Sequence, residues 1–228
     1  MKRLLILALS AAMMIAALAG CGSADGGANN VSQSGGVSDA LSHVGDFATT
    51  RYFSNEAVAD ADIERILTAG VNTASASNRQ PWHFTAITSA DALQDVSDAV
   101  NARREANGQA PLPEPESGKA VETNIARIPL LIVVSVDEGA ELNAGLAAQN
   151  MAVMAQLLGY GTKIETSPAS AINDNLERLG GVLGIPEGQR AAAVIKIGKP
   201  DLSVDETLDG FTAATGRNPM NEVTTRVS

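Results

Sequence analysis

Residues 74–84 read ASASNRQPWHF, and the division of the rest of the chain follows from how this stretch is read. Ser75, Ser77, Asn78 and Gln80 put hydroxyl and amide groups on a short connection, which Pro81 and Trp82 then stiffen. Such groups both donate and accept hydrogen bonds, which suits the uracil-like edge of a planar heterocycle. Left unpaired beside a core strand, the same groups would be costly, so the set points to a ligand. Trp82, the only tryptophan, reads instead as a plug for the core.

Upstream, Asp60 to Val71 carries Ile63, Ile66, Leu67 and Gly70 at helical spacing, and Ser38 to Val44 reads as a shorter capped helix. Downstream, His83 to Thr88 is strand-like and Ala90 to Asn107 is an amphipathic helix with Arg103, Arg104 and Glu105 on its solvated side. Gly108 to Gly118 is a proline-containing loop or lid. Ile128 to Val136 is a buried strand entered by Pro129. Gly139 to Leu158 has Ala, Leu and Met on nearly every face, so a helix buried on most sides is expected, with Met151 and Met154 in the core. Strands over 162–166 and 192–197 and a helix over 172–179 complete the pattern. Interleaved helices and few strands give an α+β layered domain.

The N-terminal segment sets the compartment. Met1-Lys2-Arg3 precedes an apolar run from Leu4 to Ala19, and Leu18-Ala19-Gly20-Cys21 places small residues before a cysteine. That is an export signal over 1–20 with a core short for a membrane span. The tetrapeptide resembles the bacterial lipobox, which implies lipidation of Cys21. Residues 21–37 are Gly, Ser, Asn and Ala with little to bury, a flexible tether to a domain over 38–228. Cys21 is the only cysteine, so its lipidation would leave no thiol for disulfides, thiolate metal sites or nucleophilic catalysis. Two histidines are too few for most zinc sites, and His43 and His83 read as surface and structural residues. Loss of Lys2 and Arg3 makes the formal charge of −10 more negative still, a balance unsuited to nucleic acid or anionic lipid.

The stretch TRYFSNEAVADADIERILTAGVNTASASNRQPWHF resembles the opening of the nitroreductase family of FMN-dependent oxidoreductases. AVMAQLLGYGTKIET, GIPEGQRAAAVIKIGKP and GRNPMNEV are similar to later family segments in the same order, so the likeness spans about 39–223. It implies a layered α/β/α domain with a mainly antiparallel sheet, and an intertwined homodimer with FMN at the interface. By the same resemblance, Thr49 and Arg51 contact the phosphate and ribityl chain, and Asn78 and Gln80 sit in the flavin pocket. Ser75 and Ser77 line the isoalloxazine, partly from the partner. Ile164 and Glu165 offer backbone groups near N5, where Lys163 could tune the potential, and Arg217 closes on the phosphate. One family arginine is replaced by Ala48, which removes a phosphate counter-charge.

Asp209 to Thr215, DGFTAAT, resembles a second signature, found in exported flavoproteins whose last threonine receives FMN as a phosphoester from a flavin transferase. Here that residue is Thr215, two positions before Arg217. Together the resemblances imply a lipid-anchored oxidoreductase that reduces a small organic acceptor, nitroaromatic or quinone, by a ping-pong scheme. Its electrons would come from a membrane redox donor rather than NAD(P)H. The alternative is a flavin-loaded electron carrier without a substrate of its own.

Overall fold

The computed structural model describes residues 44–45, 47, 49–112, 120–121, 124–201 and 218–227. The chain divides into two units, Met1–Val37 and Ser38–Ser228, and the first lies wholly outside the described residues. So do His43, most of the helix expected over 38–44, and residues 113–118 of the expected lid.

A four-stranded sheet organises the second unit. Its strands are β2 (Trp82–Ile87), β4 (Leu130–Val136), β5 (Gly161–Glu165) and β6 (Arg190–Gly198), in the order β2-β4-β6-β5 with every pair antiparallel. The two short strands β1 (Tyr52–Phe53) and β3 (Ala120–Val121) pair separately, and neither stood out in the sequence. Every residue of β4 is buried, because helices cover both faces of the sheet. Its LLIVVSV run is the continuous apolar pattern of a central strand rather than the alternation of a half-exposed one.

Leu130, Ile132, Val134 and Val136 point to one face, against α1 (Asp60–Val71) and α3 (Glu141–Leu157). Leu131 and Val133 point to the other, against α2 (Ala90–Ala106), α4 (Ser167–Asp174) and α5 (Leu176–Val182). The expected α+β class with an antiparallel sheet between two helical layers is therefore what the chain forms. A last helix, α6 (Met220–Val223), is four residues long.

The face holding α1 and α3 is closely fitted. A Cβ on Gly70 would come within 2.8 Å of the Met151 sulfur, so the glycine is what lets the two helices approach. At the start of α1, the Tyr160 hydroxyl donates to Asp62 (2.9 Å) and accepts from the Ala59 N–H (3.5 Å). Burial, and then the Asp62 contact, raise the Tyr160 pKa above its ordinary 10.0. Across the sheet, Arg103 pairs with Asp174 and Arg178 with Asp95 (2.6 Å), which ties α2 to α4 and α5. Arg103 is thus engaged in an ion pair rather than simply solvated.

Two expectations are corrected. The helix expected over 172–179 is two helices, α4 and α5, meeting at Asn175 (φ −120°, ψ 25°). The Asn175 side-chain amide donates to the Ala171 carbonyl (2.9 Å), a local bond that competes with the helical ladder and marks the break. In addition, α3 is not buried on most sides. It buries Ala144, Ala147, Ala148, Met151, Ala152 and Ala155, but Leu142 (76% exposed), Leu146 (45%) and Leu157 (41%) form an outward stripe with half-buried Val153. The all-round apolar pattern is real, but the described residues of this chain cover only part of it.

Candidate functional site

The residues between α1 and β2 adopt a backbone that side chains resist. Ser77 (φ 54°), Asn78 (φ 54°) and Gln80 (φ 48°) are the three non-glycine residues with positive φ among the described residues. Such conformations cost about 1–3 kcal/mol each and persist where their surroundings enforce them. The enforcement here is local and polar. The Gln80 N–H donates to the Ser75 hydroxyl oxygen (2.9 Å), the Asn78 N–H to the Ser75 carbonyl (3.0 Å), and the Gln80 side-chain amide to Asn78 Oδ1 (3.3 Å). Ser77, Asn78 and Gln80 are all exposed. Ser75 therefore acts as the clip that closes the loop. At the loop's exit Trp82 is half-buried, packs against the core under α3 and stacks on Phe84 (6.0 Å), which is the plug expected of it. His83, expected to be structural, exposes its side chain.

A second group of predicted residues gathers along β5. The Thr50 N–H donates to the Thr162 carbonyl (2.8 Å), which lays residues 49–51 beside the edge of β5 that faces away from β6. The contact is tight: a Cβ on Gly161 would fall 2.2 Å from the Thr50 hydroxyl oxygen. Thr50 itself is fully buried and its hydroxyl has no hydrogen-bond partner among the described residues. Thr49 is half-buried, and Arg51 is exposed with no ion pair among the described residues. Backbone groups of a strand alternate between its two sides. Because Thr162 faces away from β6, so does Ile164, while Glu165 faces β6. Of the two backbones expected near a ligand, only Ile164 presents its groups at the open edge.

The Glu165 side chain is committed as well. It pairs with Lys163 (2.9 Å) and with Lys196, a residue only 3% exposed that stands directly across the ladder from Lys163. Burial works against the Glu165 charge, but the Lys196 ammonium, assisted by Lys163, outweighs it and holds the carboxyl below its ordinary 4.5. Lys163 is consequently bound to a carboxylate rather than free to face a ligand. These charges were legible in the sequence only as strand residues; their meeting depends on the β5–β6 register.

The two groups do not meet within this chain. The 75–80 loop enters β2 at one edge of the sheet, while Thr49, Arg51 and Ile164 follow β5 at the other, three strand spacings or about 14 Å away. They are also offset along the strands. Trp82 lies level with Arg190, whereas Thr162 pairs with Ile197, seven residues further and about 23 Å along β6. Ala48, Thr215, Arg217 and Cys21 lie outside the described residues.

Beside the first group, α1 and α3 enclose a groove of about 760 Å³ lined by Arg65, Thr68, Asn72, Asn150, Val153 and Leu157, among others. It continues the outward stripe of α3.

A model of the nitroreductase family matches residues 48–199. A putative NADH dehydrogenase/NAD(P)H nitroreductase from Archaeoglobus fulgidus is 29% identical over 152 residues, covering 66% of this chain and 79% of that protein. Among solved structures, the nitroreductase with bound FMN from Bacteroides fragilis superposes with a TM-score of 0.66 at 18% identity, covering 83% of this chain and 99% of the other. The nitroreductase with bound FMN from Desulfitobacterium hafniense gives the same TM-score at 21% identity, covering 83% and 98%.

Proposed function

This chain belongs to the nitroreductase family, and from that premise we propose that it is an FMN-dependent oxidoreductase, exported and lipid-anchored at Cys21, that works as a homodimer on small organic acceptors. The observation that carries the reading is the 75–80 loop. Its strained backbone directs the Asn78 and Gln80 amides and the Ser77 hydroxyl outward as a rigid donor–acceptor set, which suits the edge of a flavin ring. The chemistry of the second group fits the other parts of the same cofactor. Arg51 is a cation with no ion pair among the described residues, beside a short polar side chain, Thr49, and Ile164 offers backbone groups at an open strand edge.

When bound, FMN supplies electron or hydride transfer at N5, taking electrons from a donor and passing them to a nitroaromatic or quinone in separate half-reactions. The chain's own residues hold and orient it. Asn78, Gln80, Ser75 and Ser77 serve the ring, the Ile164 backbone lines its reactive side, and Thr49, Arg51 and Arg217 serve the phosphate. Glu165 remains an anion locked to two lysines, so it shapes the local field and is no proton donor near neutral pH.

The separation of the two groups across one sheet supports a site completed by a second copy. The outward Leu142, Leu146, Val153 and Leu157 stripe supports the same assembly, since a helix apolar on all sides is ordinarily covered on all sides. Thr215 carries FMN as a phosphoester placed by a flavin transferase, which compensates for the charge missing at Ala48. Electrons come from a membrane redox partner, because nicotinamide nucleotides are scarce outside the cytoplasm and the acidic chain disfavours polyanions.

Purified protein made with and without a flavin transferase tests this reading. Reconstitution with FMN should give a yellow dimer, and co-expression should add the mass of FMN less water at Thr215. A colourless protein that takes up no FMN overturns the cofactor assignment. Acid-released flavin from the co-expressed protein overturns the covalent one. Leu146→Glu should convert the dimer to a monomer with FMN occupancy lost, as read by light scattering and absorbance.

A further inference from the structure

The loop is strained, yet it is exposed and short, so something must fix how the chain enters it. The entry is held from α3. The Asn150 side-chain amide donates to the Thr73 hydroxyl oxygen (2.9 Å), and that buried hydroxyl donates to the Ala69 carbonyl (3.1 Å). Three residues further on, the Ala76 N–H donates to Asn143 Oδ1 (3.4 Å), while the Asn143 side-chain amide reaches the Ala140 carbonyl at the start of α3 (3.5 Å).

Asn143 and Asn150 are seven residues apart, two helical turns, so they stand on one face about 10 Å apart along the axis. Thr73 to Ala76 is three residues, and a nearly extended chain of that length also spans about 10 Å. Ser75 is extended (φ −136°, ψ 155°). The segment is thus drawn out between two side chains of one rigid helix, and the left-handed turn begins immediately where the second one lets go, at Ser77.

We infer that Asn143 and Asn150 are positioning residues for the flavin-facing loop: they fix residues 73–76 against α3 and so set the direction in which Asn78 and Gln80 are presented. The inference rests on the FMN reading above. The two asparagines bond to Thr73 and Ala76, ahead of the Asn78 and Gln80 side chains that the loop presents. They act by removing freedom from the segment that leads into the loop, which is how a supporting residue keeps a recognition group in register. They also border the outward Leu142 and Leu146 stripe, so the helix that offers the interprotomer face is the one that holds the loop.

Amide hydrogen exchange on the FMN-free protein provides a readout without the cofactor. In Asn143→Ala and Asn150→Ala, amides of residues 76–80 should exchange about tenfold faster, while those of α1 and β2 keep their rates. In the FMN titration both variants should bind about tenfold more weakly, and the flavin midpoint potential should shift because oxidised and reduced forms lose affinity unequally. Asn143→Asp keeps the acceptor for the Ala76 N–H and should restore exchange and affinity to within about twofold. If parent and both alanine variants bind FMN with equal affinity and equal potential, the positioning role is overturned and the cofactor reading stands. If the parent binds no FMN, the cofactor reading falls and this inference with it. Unchanged loop exchange in both alanine variants overturns the inference whatever the flavin result.

Discussion

The two edges of the sheet hold their candidate site residues by opposite means. At β5, the Thr49–Arg51 segment is set by contact: Thr50 fills the space a side chain on Gly161 would need, and one backbone bond fixes the register. At β2, the 75–80 loop is set by conformation: three side-chain-bearing residues sit in the left-handed region, closed by Ser75 and led in by α3. The Thr50–Gly161 contact at the first edge is buried and has no room for an added atom. The second is exposed and would be relieved by losing one. Precision is thus achieved by packing where apolar surface is available, and by polar clips and backbone strain where the groups must face outward.

The largest effect expected of this contrast is at Gly161. Gly161→Ala drives a Cβ into Thr50, and an overpacked site that cannot yield costs about 3 kcal/mol, or a fall in Tm of about 10 °C for a domain of this size. Adding Thr50→Ala to the same chain should recover about half, because it vacates the space. A melting temperature unchanged by Gly161→Ala would mean that contact does not hold this edge.

Thr50→Val should act in the other direction. It replaces a buried hydroxyl that has no partner among the described residues with a methyl of the same shape, and relief of an unsatisfied group is worth about 1–2 kcal/mol. Denaturant midpoints at constant m-value measure it; a destabilised variant would show that the hydroxyl is bonded in the folded protein.

At the strained edge, Ser77→Gly should raise stability by about 1 kcal/mol, since glycine accepts φ 54° without penalty and the side chain is exposed. Affinity for FMN should fall at the same time, because the freed backbone presents Asn78 less firmly. Equal stability and affinity in parent and variant would remove strain as the device at this edge.

The smallest effect is pH-dependent. The Glu165 carboxyl is held below 4.5 in the folded chain, so its contribution is complete above the unfolded value and is lost as pH falls through and below that range. Melting temperature should therefore decline as the medium is acidified below about pH 4.5, with a shallower slope in Glu165→Gln. Parallel acid profiles for the two proteins would show that Glu165 takes no part in acid stability.

Much of this was legible in the residues. Asp60–Val71 was bounded correctly because its apolar spacing and its flanks agree, and β4 was found, though it begins at Leu130 rather than Ile128, because a run with six apolar residues in seven fits a strand covered on both faces. The Asn-x-Gln-Pro-Trp stretch could be singled out because polar groups at such density beside a core strand need a reason. The break at Asn175 was not legible, since asparagine inside an apolar period becomes a break only if its amide finds a nearby carbonyl. Nor were Asn143 and Asn150, which in the sequence are two polar residues on a helix and become significant only because Thr73 and Ala76 lie against them.

The sequence by itself determined most of the elements, the class and which polar residues to expect at a ligand, because periodicity, composition and side-chain chemistry are local properties. Only the tertiary structure decided where those residues stand. Strand order put the loop and the Thr49–Arg51 segment on opposite edges, and register brought Lys163, Lys196 and Glu165 together. The packing of α3 left half of an apolar helix facing outward. Each of these depends on which distant segments become neighbours, and no single segment carries that information.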